Sequence, residues 1–355
     1  MLSAVGYASV QARVRARRSW LLGADAWRDL IDASTLDRTL EVLRTTAYGA
    51  ATDRGATERV AGAAIGGADA VTRLQRSLRR GLRRETMALA ASVPPVAQEL
   101  LEWLADGALV QDLKLLVRAL HHGHPIDLVW PATTLADRDD PTLAGLAQVR
   151  SLAGLVAALE RTPFGRALAD AWDRARQERR PFYLEVALDL AYQRGLVARI
   201  EALSGADRSD AVELLGRALA RENLIAAGRY RALSGVSPEE VVNFRLHRDF
   251  GGGLAMVQRV ATGASLRDEA AALGVDLAVL GDDAATLLAL ERASDRLQRE
   301  AARARFGRQP FGLGLVLAYL IERRAEAADL VALVEAKAQG LGPDALRARI
   351  PREVA

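Results

Sequence analysis

The sequence predicts an all-α protein made of three tandem, similar helical domains. Apolar residues recur at helical spacing along the chain, as at Leu113, Leu116, Val117 and Leu120. Ala, Leu and Arg dominate the composition and aromatic residues make up only 5%, which favours helix over sheet. The one strand-like stretch is weak, covering residues 126–130 between two prolines. The third observation, and the strongest, is an internal repeat.

Three segments of the chain carry the same pattern, an Asp or Asn followed by Leu at the start of a helical run. The anchors are Asp112, Asn223 and Asp329, separated by 111 and 106 residues. We interpret all three anchors as structural residues, and in the first and third copies the Asp could be a capping residue or one end of a surface ion pair. Repeats of this length predict similar helical units that pack against one another.

Each anchor segment is followed by a glycine, namely Gly123, Gly235 and Gly340. Helices commonly end on a residue in the left-handed conformation, which glycine adopts without strain. We therefore expect these three glycines to end the anchor helices.

A second marker precedes the anchors and supports the division into three. Its first two copies consist of Leu36, Leu40, Leu43, Thr46, Tyr48 and Gly49, and of Leu152, Val156, Leu159, Thr162, Phe164 and Gly165. A blurred third copy runs through Val257, Val260, Thr262 and Ser265. The two markers together place the domains at residues 1–124, 125–236 and 237–355.

Two helix starts can be read directly from the sequence. Ser237, Pro238 and Glu240 place a hydroxyl at the N-cap, proline at the first helical position and a carboxylate at the third. Ser265 and Asp268 form a looser version of the same pattern. Both segments therefore predict helix starts in the last third of the chain.

Composition excludes several classes of chemistry. The chain has no cysteine, so disulfides, thiolate metal sites and cysteine nucleophiles are impossible. The formal net charge is +3, too small to indicate nucleic-acid binding. The start of the chain does not have the pattern of a signal peptide, and the longest apolar stretch is about half of a membrane span. We expect a cytoplasmic protein that meets a membrane only through a partner.

No catalytic or cofactor site can be assembled from the sequence. Lys114 and Lys337 are the only lysines, and neither is followed by Ser or Thr, so a Walker A phosphate loop is excluded. His121, His122 and His124 form the only histidine cluster, but they end a predicted helix, where polar and cationic side chains are favoured in any case. We predict no metal site.

Two glycine-rich segments resemble phosphate loops only weakly. They are residues 312–314 and residues 251–253, and neither follows a strand as a dinucleotide-binding fold requires. We interpret the first as a close helix contact and the second as a hinge or turn.

The densest basic stretch contains Arg13, Arg15, Arg17 and Arg18, and a second one spans residues 76–84. Arginine binds carboxylates in a bidentate manner, so the first stretch is a candidate contact surface for an acidic protein partner. The alternative is a solvated helix face. Nucleic acid is less favoured because aromatic residues are not interleaved with the arginines.

These residues also resemble a known family. Gly6-Tyr7, the arginines up to Arg18, and Leu21-Leu22 are similar to the start of the C-type subunits of bacterial and archaeal V-type (A-type) rotary ATPases, which are homologous to the eukaryotic d-type subunits. Further matches are residues 46–49, residues 112–114 and, most specifically, residues 310–324 leading into Asp329. The resemblance covers the whole chain and is weakest at residues 250–285.

The resemblance implies a fold and a role. Three helical domains would surround a pseudo-three-fold axis and form a funnel on the cytoplasmic face of the membrane proteolipid ring. The central axle subunits, of D and F type, would insert into the funnel. The chain would then be a non-catalytic rotor socket that passes torque and needs no cofactor.

Two other readings remain open at the level of the sequence. One is a free-standing helical-repeat scaffold that binds an acidic protein or RNA. The other is a metal-dependent hydrolase using His121, His122 and His124.

Overall fold

The computed structural model describes residues 2–51, 67–135, 140–233, 235–277, 283–308 and 312–350, and within these ranges the protein contains no strand. The predicted all-α class is confirmed. The weak strand-like pattern at residues 126–130 does not form a strand. These residues form a short helix, Ile126–Val129, followed by a 3-10 turn, Trp130–Ala132. Pro125 and Pro131 stand at the starts of these two turns, where a fixed φ favours helical geometry.

The helices are numbered here in chain order. The first eleven are α1 (Leu2–Arg18), α2 (Ala24–Asp32), α3 (Leu36–Thr45), α4 (Ala47–Ala51), α5 (Gly67–Ala90), α6 (Pro95–Ala105), α7 (Gly107–His121), α8 (Ile126–Val129), α9 (Pro141–Gly145), α10 (Leu152–Ala158) and α11 (Gly165–Gln177). The others are α12 (Phe182–Ala202), α13 (Gly205–Ala211), α14 (Arg217–Ala232), α15 (Pro238–Asn243), α16 (Gly253–Ala261), α17 (Leu266–Ala272), α18 (Asp283–Arg308), α19 (Leu313–Ala338) and α20 (Pro343–Arg349).

Buried apolar side chains form three clusters. The first runs from Tyr7 through α5–α7 and α10–α13, and includes the first turns of α19 up to Leu320. The second joins α14 from Leu224 onward to α15–α18. The third combines side chains from residues 27–48 and 74–78 with side chains from residues 330–350, so the first and last parts of the chain share one core. The domain boundaries near residues 124 and 236 stay a prediction.

Helix α19 connects two of these clusters. Its first half, with Leu313 and Tyr319, belongs to the first cluster, and its second half, with Leu330 and Leu333, belongs to the third. It packs against α1, α3, α5, α13 and α18. Burial on several sides explains the uncharged, mostly apolar run at its start, residues 313–321.

The second marker forms the same turn in its first two copies. Thr46 Oγ1 donates to the Leu43 carbonyl at 2.7 Å, and Thr162 Oγ1 donates to the Leu159 carbonyl at 2.6 Å. The glycine three residues after each threonine lies so close to the preceding turn that an added Cβ would fall 2.1–2.2 Å from a carbonyl oxygen. The glycine is therefore required by close backbone approach.

The third copy of this marker differs. Thr262 Oγ1 donates to the Gln258 carbonyl at 2.9 Å and also to the Arg259 carbonyl at 3.2 Å, and only the second bond matches the three-residue spacing of the other copies. Gly263 then takes a left-handed φ of 104° at the end of α16. The blurred sequence match corresponds to this different local geometry.

Two of the three anchors attach their helix to a segment farther along the chain. Asp112 is fully buried and its Oδ2 accepts from the Thr134 backbone N at 2.8 Å. Asn223 Oδ1 accepts from the Leu246 backbone N at 2.9 Å. The two links span 22 and 23 residues, respectively. The corresponding position after the third anchor lies outside the described residues.

The third anchor, Asp329, makes a bidentate pair with Arg299 of α18, with N–O distances of 2.8 and 2.9 Å.

The glycines that follow the anchors, Gly123, Gly235 and Gly340, have φ values of 71°, 80° and 77°. The first and last of them directly follow the C-cap residue of the anchor helix, whereas Gly235 lies two residues beyond the C-cap of α14.

The two predicted helix starts are confirmed. Ser237 and Glu240 form a complete capping box at the start of α15, and Ser265 Oγ accepts from the Asp268 backbone N at the start of α17.

Candidate functional site

The four candidate arginines lie on α1, and the structure separates them into two groups. Tyr7, Val10 and Val14 are fully buried and fix one face of the helix against the first cluster. Arg17 continues that face at three-residue spacing, and its side chain is only 20% exposed. Arg13, Arg15 and Arg18 are exposed.

Contacts of the arginines agree with this division. Arg17 Nη1 lies 4.0 Å from Glu85 Oε1, whereas Arg13 donates to the Ser92 hydroxyl at 2.7 Å. The guanidinium of Arg18 lies 4.3 Å from the centroid of the Phe306 ring. The candidate contact surface therefore consists of Arg13, Arg15 and Arg18. The Arg17 side chain is instead directed into the protein, toward Glu85.

Sequence reasoning did not single out Trp20, which follows α1 and is 42% exposed. The Arg17 guanidinium lies 5.6 Å from its ring centroid. Tryptophan and arginine are enriched at the energetic centres of protein interfaces. The sequence signal that could have found it is a tryptophan directly after the basic stretch. We call Arg13, Arg15, Arg18 and Trp20 the α1 surface.

A buried polar network lies behind the α1 surface. Glu85 of α5 accepts from the Tyr319 hydroxyl and, at 3.1 Å, from Arg323 Nε. Burial, followed by the hydrogen bond to Glu85, raises the pKa of Tyr319 far above its ordinary value. Burial opposes the charge of Arg323, but Tyr48 and Glu85 outweigh it and raise the pKa of that guanidinium. The arginine therefore stays charged inside the protein.

Glu326 completes the network. It is fully buried, and its two oxygens accept from the Tyr48 hydroxyl at 2.7 Å and from the Leu22 backbone N at 3.0 Å. Arg323 Nη1 lies 3.7 Å from the same carboxylate. Residues from α4, from α19 and from the segment after α1 thus meet at one charged group. Removing one member of such a buried set leaves another charge without compensation.

A second group of carboxylates holds the start of α19. Asp207 Oδ1 accepts from the Leu313 backbone N at 3.2 Å, and its Oδ2 accepts from the Tyr7 hydroxyl at 2.7 Å. Asp210 accepts from Arg305 and from the Gly314 backbone N, and burial raises the pKa of its carboxyl. These side chains satisfy backbone N–H groups that a helix start leaves unpaired.

The predicted close contact at residues 312–314 is confirmed. A Cβ on Gly314 would lie 2.4 Å from Asp210 Oδ2, and Gly312 has a φ of 122°. The two carboxylates of α13 lie against this glycine segment. The glycine run at residues 251–253 is a turn, in which the Asp249 carboxylate accepts from the backbone N of Gly251 and of Gly253 at 3.0–3.1 Å.

The histidine cluster lies at the end of α7. The rings of His121 and His122 are 5.1 Å apart, and those of His122 and His124 are 6.3 Å apart. Among the residues that the structure describes, no group of three His, Asp or Glu side chains is arranged to hold a metal ion. In the same part of the chain no helix is both long and apolar enough to span a bilayer.

Comparison with known proteins identifies the class. Residues 10–349 match the family described as ATP synthase (C/AC39) subunit, which is nearly the whole chain. The chain belongs to this family, and the resemblance seen in the sequence is confirmed.

A curated relative agrees with this assignment. The C-type subunit of the A-type ATP synthase of Methanocaldococcus jannaschii is 22% identical over 354 residues, an alignment that covers 96% of this chain and 85% of the relative.

Proposed function

We propose that this chain is the non-catalytic central-stalk rotor subunit of a V/A-type ATPase or ATP synthase. It links the central axle, made of D- and F-type subunits, to the membrane proteolipid ring. It transmits torque between ATP hydrolysis or synthesis and the transport of protons or sodium ions. It lies at the cytoplasmic face, touches the membrane only through the ring and binds no nucleic acid.

The family match over residues 10–349 carries the proposal, because it extends through all three repeated segments. In the proposed assembly the domains at residues 1–124, 125–236 and 237–355 surround a pseudo-three-fold axis and form a funnel for the axle. The anchors Asp112, Asn223 and Asp329 would then hold equivalent helices in place. No cofactor is needed for this role.

The charged interior supports a torque-bearing role. A coupler must resist deformation, and elements held by buried, mutually dependent ion pairs resist sliding past one another. Glu326 joins α19 to Tyr48 and to the backbone after α1, while Asp329 joins α19 to α18. Helix α19 is thereby fixed to both the first and the last parts of the chain.

Affinity purification from native membranes tests the proposal. Tagged protein should bring the ring and the D- and F-type axle subunits with it, and cells lacking it should lose ATP-driven ion transport. Recovery of RNA or of an unrelated acidic protein, without ring or axle, would instead establish the free-standing scaffold.

The α1 surface can be tested by charge reversal. We expect the triple variant Arg13→Glu, Arg15→Glu, Arg18→Glu to reduce recovery of ring or axle at least tenfold, because like charges at an interface repel. The matched control is Arg28→Glu, Arg38→Glu, Arg166→Glu, which changes net charge equally at exposed arginines elsewhere. Equal recovery with both triple variants would remove the α1 surface from the interface.

A further inference from the structure

An exposed arginine adopts a backbone conformation that arginine rarely takes. Arg179, just after α11, has a φ of 52°. The Arg180 backbone N donates to the Ala175 carbonyl at 3.1 Å, which is the bond of a Schellman helix end with Arg179 in the left-handed position. A side chain with a Cβ is strained in this conformation.

The rest of the protein shows what this position normally contains. Four other helix ends in the described part of the chain have the same hydrogen bond, and all four place glycine in the left-handed position: Gly123, Gly263, Gly274 and Gly340. The fold therefore tolerates glycine at such ends. Arg179 stands where the other four ends have glycine. Glycine would end the helix without strain, so ending the helix does not explain the arginine.

Neighbouring arginines are occupied within the protein, whereas Arg179 is not. Arg174 pairs with Glu240 at 2.5 Å, and Arg176 lies 3.5 Å from Asp173. Arg179 is exposed and makes no ion pair or side-chain hydrogen bond with any residue that the structure describes. The helix end itself is already served by cations in its last turn, Arg174 and Arg176.

The surroundings of Arg179 suit a protein contact. The next residue, Arg180, stacks on the Phe182 ring at 5.5 Å and reaches the Gly235 carbonyl at 3.4 Å. The nearby turn after α14 presents Leu233, which is 40% exposed. Arg180 is thus held against the protein directly after Arg179, whose own side chain makes no internal ion pair or hydrogen bond with the described residues.

We propose that Arg179 is a docking residue for a carboxylate on a neighbouring protein subunit, and that its backbone strain is maintained for that contact. The turn fixes where the side chain leaves the backbone, and a planar guanidinium matches a carboxylate in a bidentate manner. Strained backbone that persists at an exposed position is characteristic of functional sites. The identity of the neighbour as a subunit of the rotary complex rests on the proposed function.

The test compares three substitutions at one position. Arg179→Gly and Arg179→Asn relieve the strain and remove the charge, so we expect melting temperature to rise by about 1–2 °C while binding weakens about tenfold. Arg179→Lys keeps both the charge and the strain, so binding should fall by only about twofold to threefold with no rise in melting temperature. Arg166→Gln removes a 95%-exposed arginine from the same helix and should leave binding unchanged.

Binding is measured with the solubilised rotary complex prepared from cells that lack this chain. A rise in melting temperature with unchanged binding would overturn the docking role and leave the proposed function intact. Failure of the unaltered chain to bind the complex would overturn both.

The same variants are also added to vesicles containing anionic phospholipid. A loss of binding there, with unchanged binding to the complex, would assign Arg179 to phosphate and overturn the proposal.

Discussion

At the scale of single residues, the two lysines differ in how far arginine could replace them. Lys337 is buried, and its ammonium donates to the carbonyls of Ile31, at 2.7 Å, and Ala33 at the end of α2. Lys114 donates to Asp189 Oδ2 at 2.6 Å between α7 and α12. A compact ammonium can donate to two converging carbonyls, whereas a guanidinium is larger and presents its donors in a planar fork. In a chain so rich in arginine, this explains why lysine is retained at residue 337.

Lys337→Arg should therefore destabilise the protein although it conserves charge. We expect the free energy of unfolding to fall by about 1–3 kcal/mol, because the larger group cannot enter the space between α2 and α19 without strain. Urea denaturation measures the effect. Lys114→Arg, at a partly exposed pair, serves as the control and should change stability by less than about 1 kcal/mol. Equal effects of the two substitutions would contradict this account of Lys337.

Buried tyrosines predict a loss of stability in alkali. Tyr7 and Tyr319 have no exposed surface, and burial together with hydrogen bonds to Asp207 and Glu85 raises the pKa of each. The folded state keeps these protons where the unfolded state releases them, so the stabilisation is complete below about pH 10 and falls above it by about 1.4 kcal/mol per pH unit for each tyrosine.

Urea midpoints measured between pH 9 and pH 11 check this dependence on pH. Tyr319→Phe should reduce the slope of unfolding free energy against pH by the contribution of one tyrosine. The same substitution should lower stability at neutral pH because it removes the hydrogen bond to Glu85. A slope that is identical in the variant and in the unaltered chain would contradict the raised pKa of Tyr319.

At the scale of elements, helix starts and ends carry much of the specificity. The 26-residue helix α19 begins against two carboxylates of α13, while its C-terminal end turns through Gly340. Gly314 is required because Asp210 lies directly against it. Gly307, near the end of α18, has nothing within 4 Å of an added Cβ.

These two helical glycines give a matched pair of alanine substitutions. Gly314→Ala should lower the free energy of unfolding by about 2–3 kcal/mol, because a methyl group displaces the Asp210 carboxylate from its partners. Gly307→Ala should raise it by about 0.5–1 kcal/mol through helix propensity and reduced freedom of the unfolded chain. Thermal unfolding measures both, and a neutral result for Gly314→Ala would mean that the contact is not close.

Helix starts and ends could be predicted from the sequence only where the residues that form them lie close together in the chain. The capping box at Ser237 and Glu240 lies within four residues, and it was predicted correctly. The tight contact at Gly314 was also predicted, but its partners were not. Asp207 lies 106 residues before Leu313, and no local pattern connects them.

The α1 surface shows the same limit. Its arginines were found by composition, but the inward direction of Arg17 depends on the partner Glu85 in another helix. Helical spacing from Val10 and Val14 was the only sequence signal for it. Arg179 had no signal at all, because its left-handed backbone is visible only in the structure.

At the scale of the whole molecule, the two ends of the chain depend on each other. The third cluster packs Trp27, Leu40 and Leu74 against Leu333 and Ile350. Glu326 and Lys337 add polar links from α19 to the N-terminal part of the chain. Helices α19 and α20 therefore stabilise a part of the chain more than 250 residues earlier, at residues 27–48 and 74–78.

Truncation after residue 328 should make that early region accessible. Without Leu330, Leu333 and Ile350 the cluster loses one side, so residues 27–48 and 74–78 should gain amide hydrogen exchange and become more accessible to limited proteolysis. Truncation after residue 350 keeps the cluster and is the control. If residues 27–48 and 74–78 stay protected in the shorter chain, the first and last parts of the chain are independent.

The positions of Lys114 and Lys337 have a practical consequence for studies of the assembled complex. Both side-chain amines are engaged in internal contacts, so reagents that acylate primary amines would find few targets on the native chain apart from its terminus. A cross-linking map made with such reagents would contain few cross-links to this protein, even where its neighbours were modified. Carboxylate- or guanidinium-directed chemistry is the appropriate choice for locating it.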